Sequence, residues 1–163
     1  MEDKMYNNFV FGNIIDYIHN WTWQELFVGV EETIITAKNV VEYAKYIIAE
    51  NISDYEIVIS VIIAERDEEI MKLVKSLTKG EKATDKQIIL DKWRYAILLD
   101  LYFQKEKNTN VYEQIALISG DFRDTEDMNS FIYYMRANGI AMEANWVNYL
   151  NEQSKRFGID ISL

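Results

Sequence analysis

The chain has no cysteine, no proline, one histidine and only six glycines in 163 residues. Without cysteine there is no disulfide, no thiolate nucleophile and no thiolate metal ligand. Proline and glycine interrupt helices, one through a missing amide donor and the other through excess backbone freedom. Average usage would supply roughly 8 prolines and 11 glycines at this length, so their scarcity favours a chain made of helices. A long hydrophobic run is missing as well. The longest nearly unbroken one, Ile57 to Ala64 with Ser60 inside it, is far short of the ~20 residues that span a bilayer. Met1-Glu2-Asp3-Lys4 lacks the basic start and apolar core of a secretory leader, so a cytoplasmic protein without a membrane segment is expected.

Positive charge is in deficit: 17 Lys and Arg against 27 Asp and Glu leave a formal charge of -10. That excess repels phosphate backbones and attracts basic partners, so the expected ligand is a protein and not a nucleic acid. Apolar content is ample, with 49% hydrophobic and 13% aromatic residues, enough to offset the entropy lost on ordering. A chain of this length can bury roughly 70% of its unfolded surface around one core. A single domain over residues 1–163 is expected.

Apolar spacing locates the helices. Phe11, Ile14, Ile15 and Ile18 share one face of a first element that Trp21 closes, and Thr22 with Glu25 has capping-box spacing before a short helix reaching about Gly29. Thr36 caps a helix whose stripe is Val40, Val41, Ala44, Ile47 and Ile48, ending near Asn51. Ser53 and Glu56 repeat the box before YEIVISVIIAE, read as a buried helix because a lone strand would have no ladder partner. Asp67, Glu68 and Glu69 open the next helix, with Ile70, Leu73, Val74 and Leu77 inward and Gly80 as its stop. Thr84 to Gln87 begins what should be the longest helix, about Asp85 to Lys105, apolar on nearly every side beyond Tyr95 with Trp93 in its core. Shorter helices follow around Ile115 and around Phe131, the latter ending at Asn138-Gly139, and a last one carries Trp146, Tyr149, Leu150 and Phe157 up to Gly158. The sum is an all-α, compact bundle of about eight helices, with a short α-helical solenoid as the alternative.

Candidate sites are few. Asp121, Asp124, Glu126 and Asp127 crowd together ahead of an apolar helix, where carboxylates either cap the helix or face a partner. Arg123 among them and the missing central glycine speak against a calcium loop. Asp16 and His19 have a D-x-x-H spacing, but a dinuclear helical site needs two such histidines and this chain has one. No nucleophile elbow or phosphate-cradling loop occurs, so no catalytic, metal or cofactor residues are assigned and no enzyme is expected. Asp100, within LLDLYF, should find an internal partner such as Arg94, Arg136 or a tyrosine. The lysines 72, 75, 79, 82 and 86 read as a solvated face. Partner-binding candidates are the Asp121 to Asp127 acids, followed by Glu31, Glu32, Glu65, Asp67, Glu68 and Glu69.

Several motifs stand in order: Trp21-Thr22-Trp23-x-x-Leu26-x-x-Gly29, Val41-Glu42-Tyr43-Ala44, Lys92-Trp93-Arg94-Tyr95-x-x-Leu98-x-x-Leu101-Tyr102, Asp121-Phe122, Phe131-Ile132-Tyr133-Tyr134-Met135 and Trp146-x-x-Tyr149-Leu150. From about residue 14 to 157 this order resembles the bacterial domain-of-unknown-function family DUF2247. Thr125 and Arg136 stand where the family pattern carries prolines. The resemblance implies a role like that of immunity proteins, which bind and block a toxin domain. An immunity or antitoxin-like protein that neutralises a basic toxin by stoichiometric binding is thus the first expectation. An acidic helical adaptor or regulatory module is the second, and a carboxylate-metal enzyme the third.

Overall fold

The computed structural model describes residues 9–50, 52–122 and 139–163, with side chains from residue 143 onward in the last segment. Every regular element among them is helical: α1 (Phe11–Ile15), α2 (Trp23–Glu31), α3 (Ala37–Ile47), α4 (Tyr55–Ile63), α5 (Asp67–Thr78), α6 (Lys86–Phe103), a 3₁₀ turn (Lys105–Lys107), α7 (Val111–Asp121) and α8 (Gly139–Phe157). The all-α expectation holds. The helix expected around Phe131 lies outside the described residues, and Gly139 opens α8. By its contacts the chain divides into two compact units, Met1–Ile89 and Leu90–Leu163.

In the first unit α5 is the hub, packing on α2, α3 and α4, while α1 packs on α3. The expected stripes supply much of its core, including Ile14, Ile18, Val40, Ala44, Ile70, Val74 and Leu77, while Val41, Ile47, Ile48 and Leu73 are half-buried. Capping chemistry starts two of its helices. The Thr22 hydroxyl accepts the Glu25 amide at 3.1 Å while the Glu25 carboxylate accepts the Thr22 amide at 2.8 Å. Thr36 and Asn39 repeat this reciprocal arrangement at the start of α3.

Three local readings are corrected. The first helix is only five residues long, with Asp16 as its C-cap, so the apolar pattern that continues through Ile18 is buried from an irregular segment. The Ser53–Glu56 box does not form: Asp54 is the N-cap of α4 at φ 58° with no side-chain cap bond, a left-handed geometry that Asp tolerates better than most residues. The α4 segment is a helix but not a buried one. Only Val58 and Val61 are buried, whereas Tyr55 is 53% and Ile63 71% exposed.

The second unit pairs α6 with α8. Asp91 meets Arg156 at 3.0 Å, Tyr95 meets Ser154 at 2.7 Å, Tyr102 packs edge-on against Trp146, and Lys105 meets Glu143 at 2.6 Å. As numbers rise along one helix they fall along the other, so the two are antiparallel. Lys92 to Leu101 are all buried; beyond Tyr95 this matches the all-round apolar pattern, while the burial of Lys92 and Arg94 goes beyond it. Trp93 is fully buried. Two details differ from expectation: α8, at 19 residues, exceeds α6, at 18, and the Asp85 carboxylate, not Thr84, accepts the Gln87 amide at 2.8 Å.

Several buried polar groups inside this unit are partnered, whereas the buried Trp146 indole N–H has no acceptor among the described residues. Arg94 donates from Nε to the Tyr149 hydroxyl at 3.1 Å and lies over the same ring. Ser154 donates to the Leu150 carbonyl at 2.6 Å, which leaves the Tyr95 hydroxyl to donate to Ser154. Asp100 accepts from the Gln104 amide at 2.8 Å, a partner one helical turn away that was not among those expected. The Glu143 carboxylate holds the Lys105 ammonium above its ordinary pKa. At the end of α8, Gly158 takes φ +67°. The Ile159 amide then reaches the Ser154 carbonyl at 2.8 Å and Gly158 reaches Lys155 at 3.3 Å, a Schellman ending in which glycine supplies the left-handed residue.

Candidate functional site: the acidic corner between α4 and α5

The chain turns from α4 to α5 within three residues, Ala64, Glu65 and Arg66. Arg66 is the N-cap of α5 in extended conformation, without a side-chain cap bond. The first turn of α5 therefore carries Asp67, Glu68 and Glu69 as its counter-charge to the helix dipole. Glu65, Asp67, Glu68 and Glu69 are exposed, and none has an ion-pair partner among the described residues. On the α2 side of the same helix lies an open cleft of about 560 Å³, lined by Phe27, Arg66, Glu68, Glu69, Met71, Lys72 and Lys75. Its lining mixes both signs of charge over two apolar side chains.

The other expected partner residues are dispersed. Glu31 is exposed at the last position of α2. Glu32, next to it, is already engaged, its carboxylate 2.8 Å from the Lys86 ammonium. Asp121 is exposed at the end of α7, while Asp124, Glu126 and Asp127 lie outside the described residues. Of the lysines read as a solvated face, Lys72 and Lys75 line the cleft and Lys86 holds Glu32.

The D-x-x-H spacing does not place Asp16 and His19 on one helical face. Asp16 closes α1 and His19 follows it in irregular structure, with Nδ1 3.0 Å from the Tyr46 hydroxyl and the two rings stacked. Among the described residues no three His, Asp or Glu side chains gather as metal ligands would. No helix there is long and apolar enough to cross a membrane.

A family description, uncharacterized protein conserved in bacteria (DUF2247), matches residues 12–154. The chain belongs to this family. No curated protein and no solved structure gives a match. In this member of DUF2247 the site rests on residues that sequence spacing did not single out. Phe27 and Met71 form the apolar lining of the cleft, and neither was distinguishable from a core residue by its helical position. Glu81 was missed entirely: its carboxylate accepts the Trp23 and Gln24 amides, both at 2.9 Å. Gln24 in turn donates to the Lys82 carbonyl and accepts from the Thr84 amide. These bonds fasten the loop after α5 onto the start of α2, which forms one wall of the cleft. Contacts across nearly sixty positions leave no local signature.

Proposed function

We propose that this chain is an immunity or antitoxin-like protein, acting in the cytoplasm, that neutralises a basic toxin by binding it stoichiometrically. One observation carries the reading: among the described residues the exposed carboxylates at the start of α5 have no ion-pair partners, in a chain of formal charge -10. Like charges held together repel one another, and that repulsion is relieved when a cationic surface docks. The same field raises the rate at which a basic partner is captured, with a reach of about 8 Å at physiological salt. Inhibition by occlusion requires only a tight, complementary surface.

Co-expression with a toxin domain encoded beside the gene tests this. The expected result is rescue of growth together with a 1:1 complex whose association rate falls steeply as salt is raised. A toxin domain that neither binds nor is neutralised would refute the reading. Capture of a housekeeping protein in its place would support the adaptor alternative.

A further inference from the structure

Helix α4 is held in the first unit by a narrow seam, Val58 and Val61. Beside that seam Tyr55, Ile59, Ile62 and Ile63 follow i, i+4, i+7 and i+8 spacing along one flank. Ile59 and Ile62 are half-buried, Tyr55 and Ile63 exposed. At 1.5 Å per residue the flank is about 12 Å long. Two positions along the chain from Ile63 stands Glu65, so their Cα atoms are at most about 7.6 Å apart. Glu56 precedes Ile63 by seven positions on the same exposed face and has no ion-pair partner among the described residues. From Asp54 to Glu69 there are six carboxylates against one guanidinium, a net of -5, half of the whole chain's -10 in sixteen residues.

We propose that this flank of α4 is the docking surface for an amphipathic helix of a partner protein that carries Lys or Arg beside its apolar stripe. The inference rests on the inhibitor reading and names the surface through which it would act. Apolar side chains at i, i+4 and i+7 form a ridge that fits the groove of another helix. Both ends of the ridge are acidic, so a bound stripe rimmed by lysine or arginine gains contact and charge complementarity together. A second copy of this chain is disfavoured, because a two-fold contact would face a charge of -5 with its equal. An anionic membrane is disfavoured on the same ground.

The test uses the full chain, isotopically labelled, and a synthetic amphipathic helix of about 18 residues, long enough to be helical, with leucines on one face and lysines on the other. Amide shifts should centre on Tyr55 to Glu69. A peptide of the same composition with its leucines and lysines permuted should bind about tenfold more weakly, as should the ordered peptide to Ile63→Asp, since apolar contact is lost from the peptide's stripe in the first case and from the exposed end of the ridge in the second. Ile63 is exposed, so the variant should keep its helical spectrum. Equal affinity for the permuted peptide would reduce the effect to charge alone and overturn the proposal. So would shifts centred elsewhere, full affinity in Ile63→Asp, or a self-associated protein that Ile63→Asp makes monomeric. With the toxin domain in hand the two readings separate. Full binding and neutralisation by Ile63→Asp would remove this surface and leave the inhibitor reading intact. Peptide binding on α4 with no toxin complex would do the reverse.

Discussion

Replacing Glu81 with alanine removes both acceptors at the start of α2. In the native chain the Trp23 and Gln24 amides donate to the two Glu81 oxygens at 2.9 Å each, and the Glu25 amide donates to Thr22. All three leading amides of the helix are thus satisfied by side chains, two of them by one carboxylate 57 to 58 positions away. Bonds to a charged acceptor are worth roughly 1.5–3 kcal/mol when lost without replacement, and the carboxylate also faces the positive end of the helix dipole. Glu81 is half-buried, so water recovers part of this, and a loss of about 2 kcal/mol is expected. At a urea slope near 2 kcal/mol/M that is a midpoint shift of about 1 M. Glu81→Gln keeps one acceptor oxygen and should lose about half as much. Amide hydrogen exchange supplies the local readout: Trp23 and Gln24 should lose protection in Glu81→Ala while the later amides of α2 keep theirs. Unchanged protection at those two amides, or glutamine and alanine variants of equal stability, would refute the capping role.

Three further outcomes are expected. Thr33 follows α2 at φ 57°, where a β-branched residue is strained by roughly 1–2 kcal/mol; Thr33→Gly should raise the unfolding free energy by about 0.5–1 kcal/mol after glycine's larger unfolded entropy is subtracted, and a loss would show that the 2.7 Å hydroxyl bond to the Glu32 carbonyl outweighs the strain. Trp93→Ala should cost about 3–5 kcal/mol, since it empties a fully buried site, and an unmoved melting curve would contradict that packing. Burial pushes Tyr43 and Tyr95 up to about 12 each. Folding favours their neutral forms, so their stabilisation is complete below pH ~10 and is lost as pH rises to about 12. Tyrosinate absorbance of the native protein should show a component that ionises near 12, and a native titration complete near 10 would exclude the effect.

What was legible in the sequence was local. Thr22 with Glu25 and the stripe Ile70, Val74, Leu77 were readable because the cap and the core face of a helix are both set by spacings of three and four residues. The burial of Ala96 to Leu101 followed from the apolar ring around α6 beyond Tyr95, whereas that of Lys92 and Arg94 did not. Ser53 with Glu56 had the same cap spacing as Thr22 with Glu25 and yet failed, because Asp54 enters α4 from a left-handed conformation that removes the serine from the cap position. The exposure of Ile63 was not legible at all, since an apolar run broken only by Ser60 does not say which of its residues a neighbour will cover. The acidic run of α5 was noticed, but its partner-free state depends on where every lysine and arginine comes to rest.

The segment Ile57-Val58-Ile59-Ser60-Val61-Ile62-Ile63 is rich in β-branched residues and has no charge, no glycine and no proline, the composition that forms steric zippers when it is extended and meets its like. It remains a helix because two valines pin it to its neighbours. Glu56 at one end, with Glu65, Arg66 and Asp67 at the other, occupies the positions at which charged gatekeepers keep such segments from stacking. Local opening of α4 would therefore release an aggregation-prone strand restrained by charge alone. The acids beside it protect the unfolded chain as well as dressing the folded one, and concentrated salt, which screens them, should shorten the time the protein stays in solution when it is warmed.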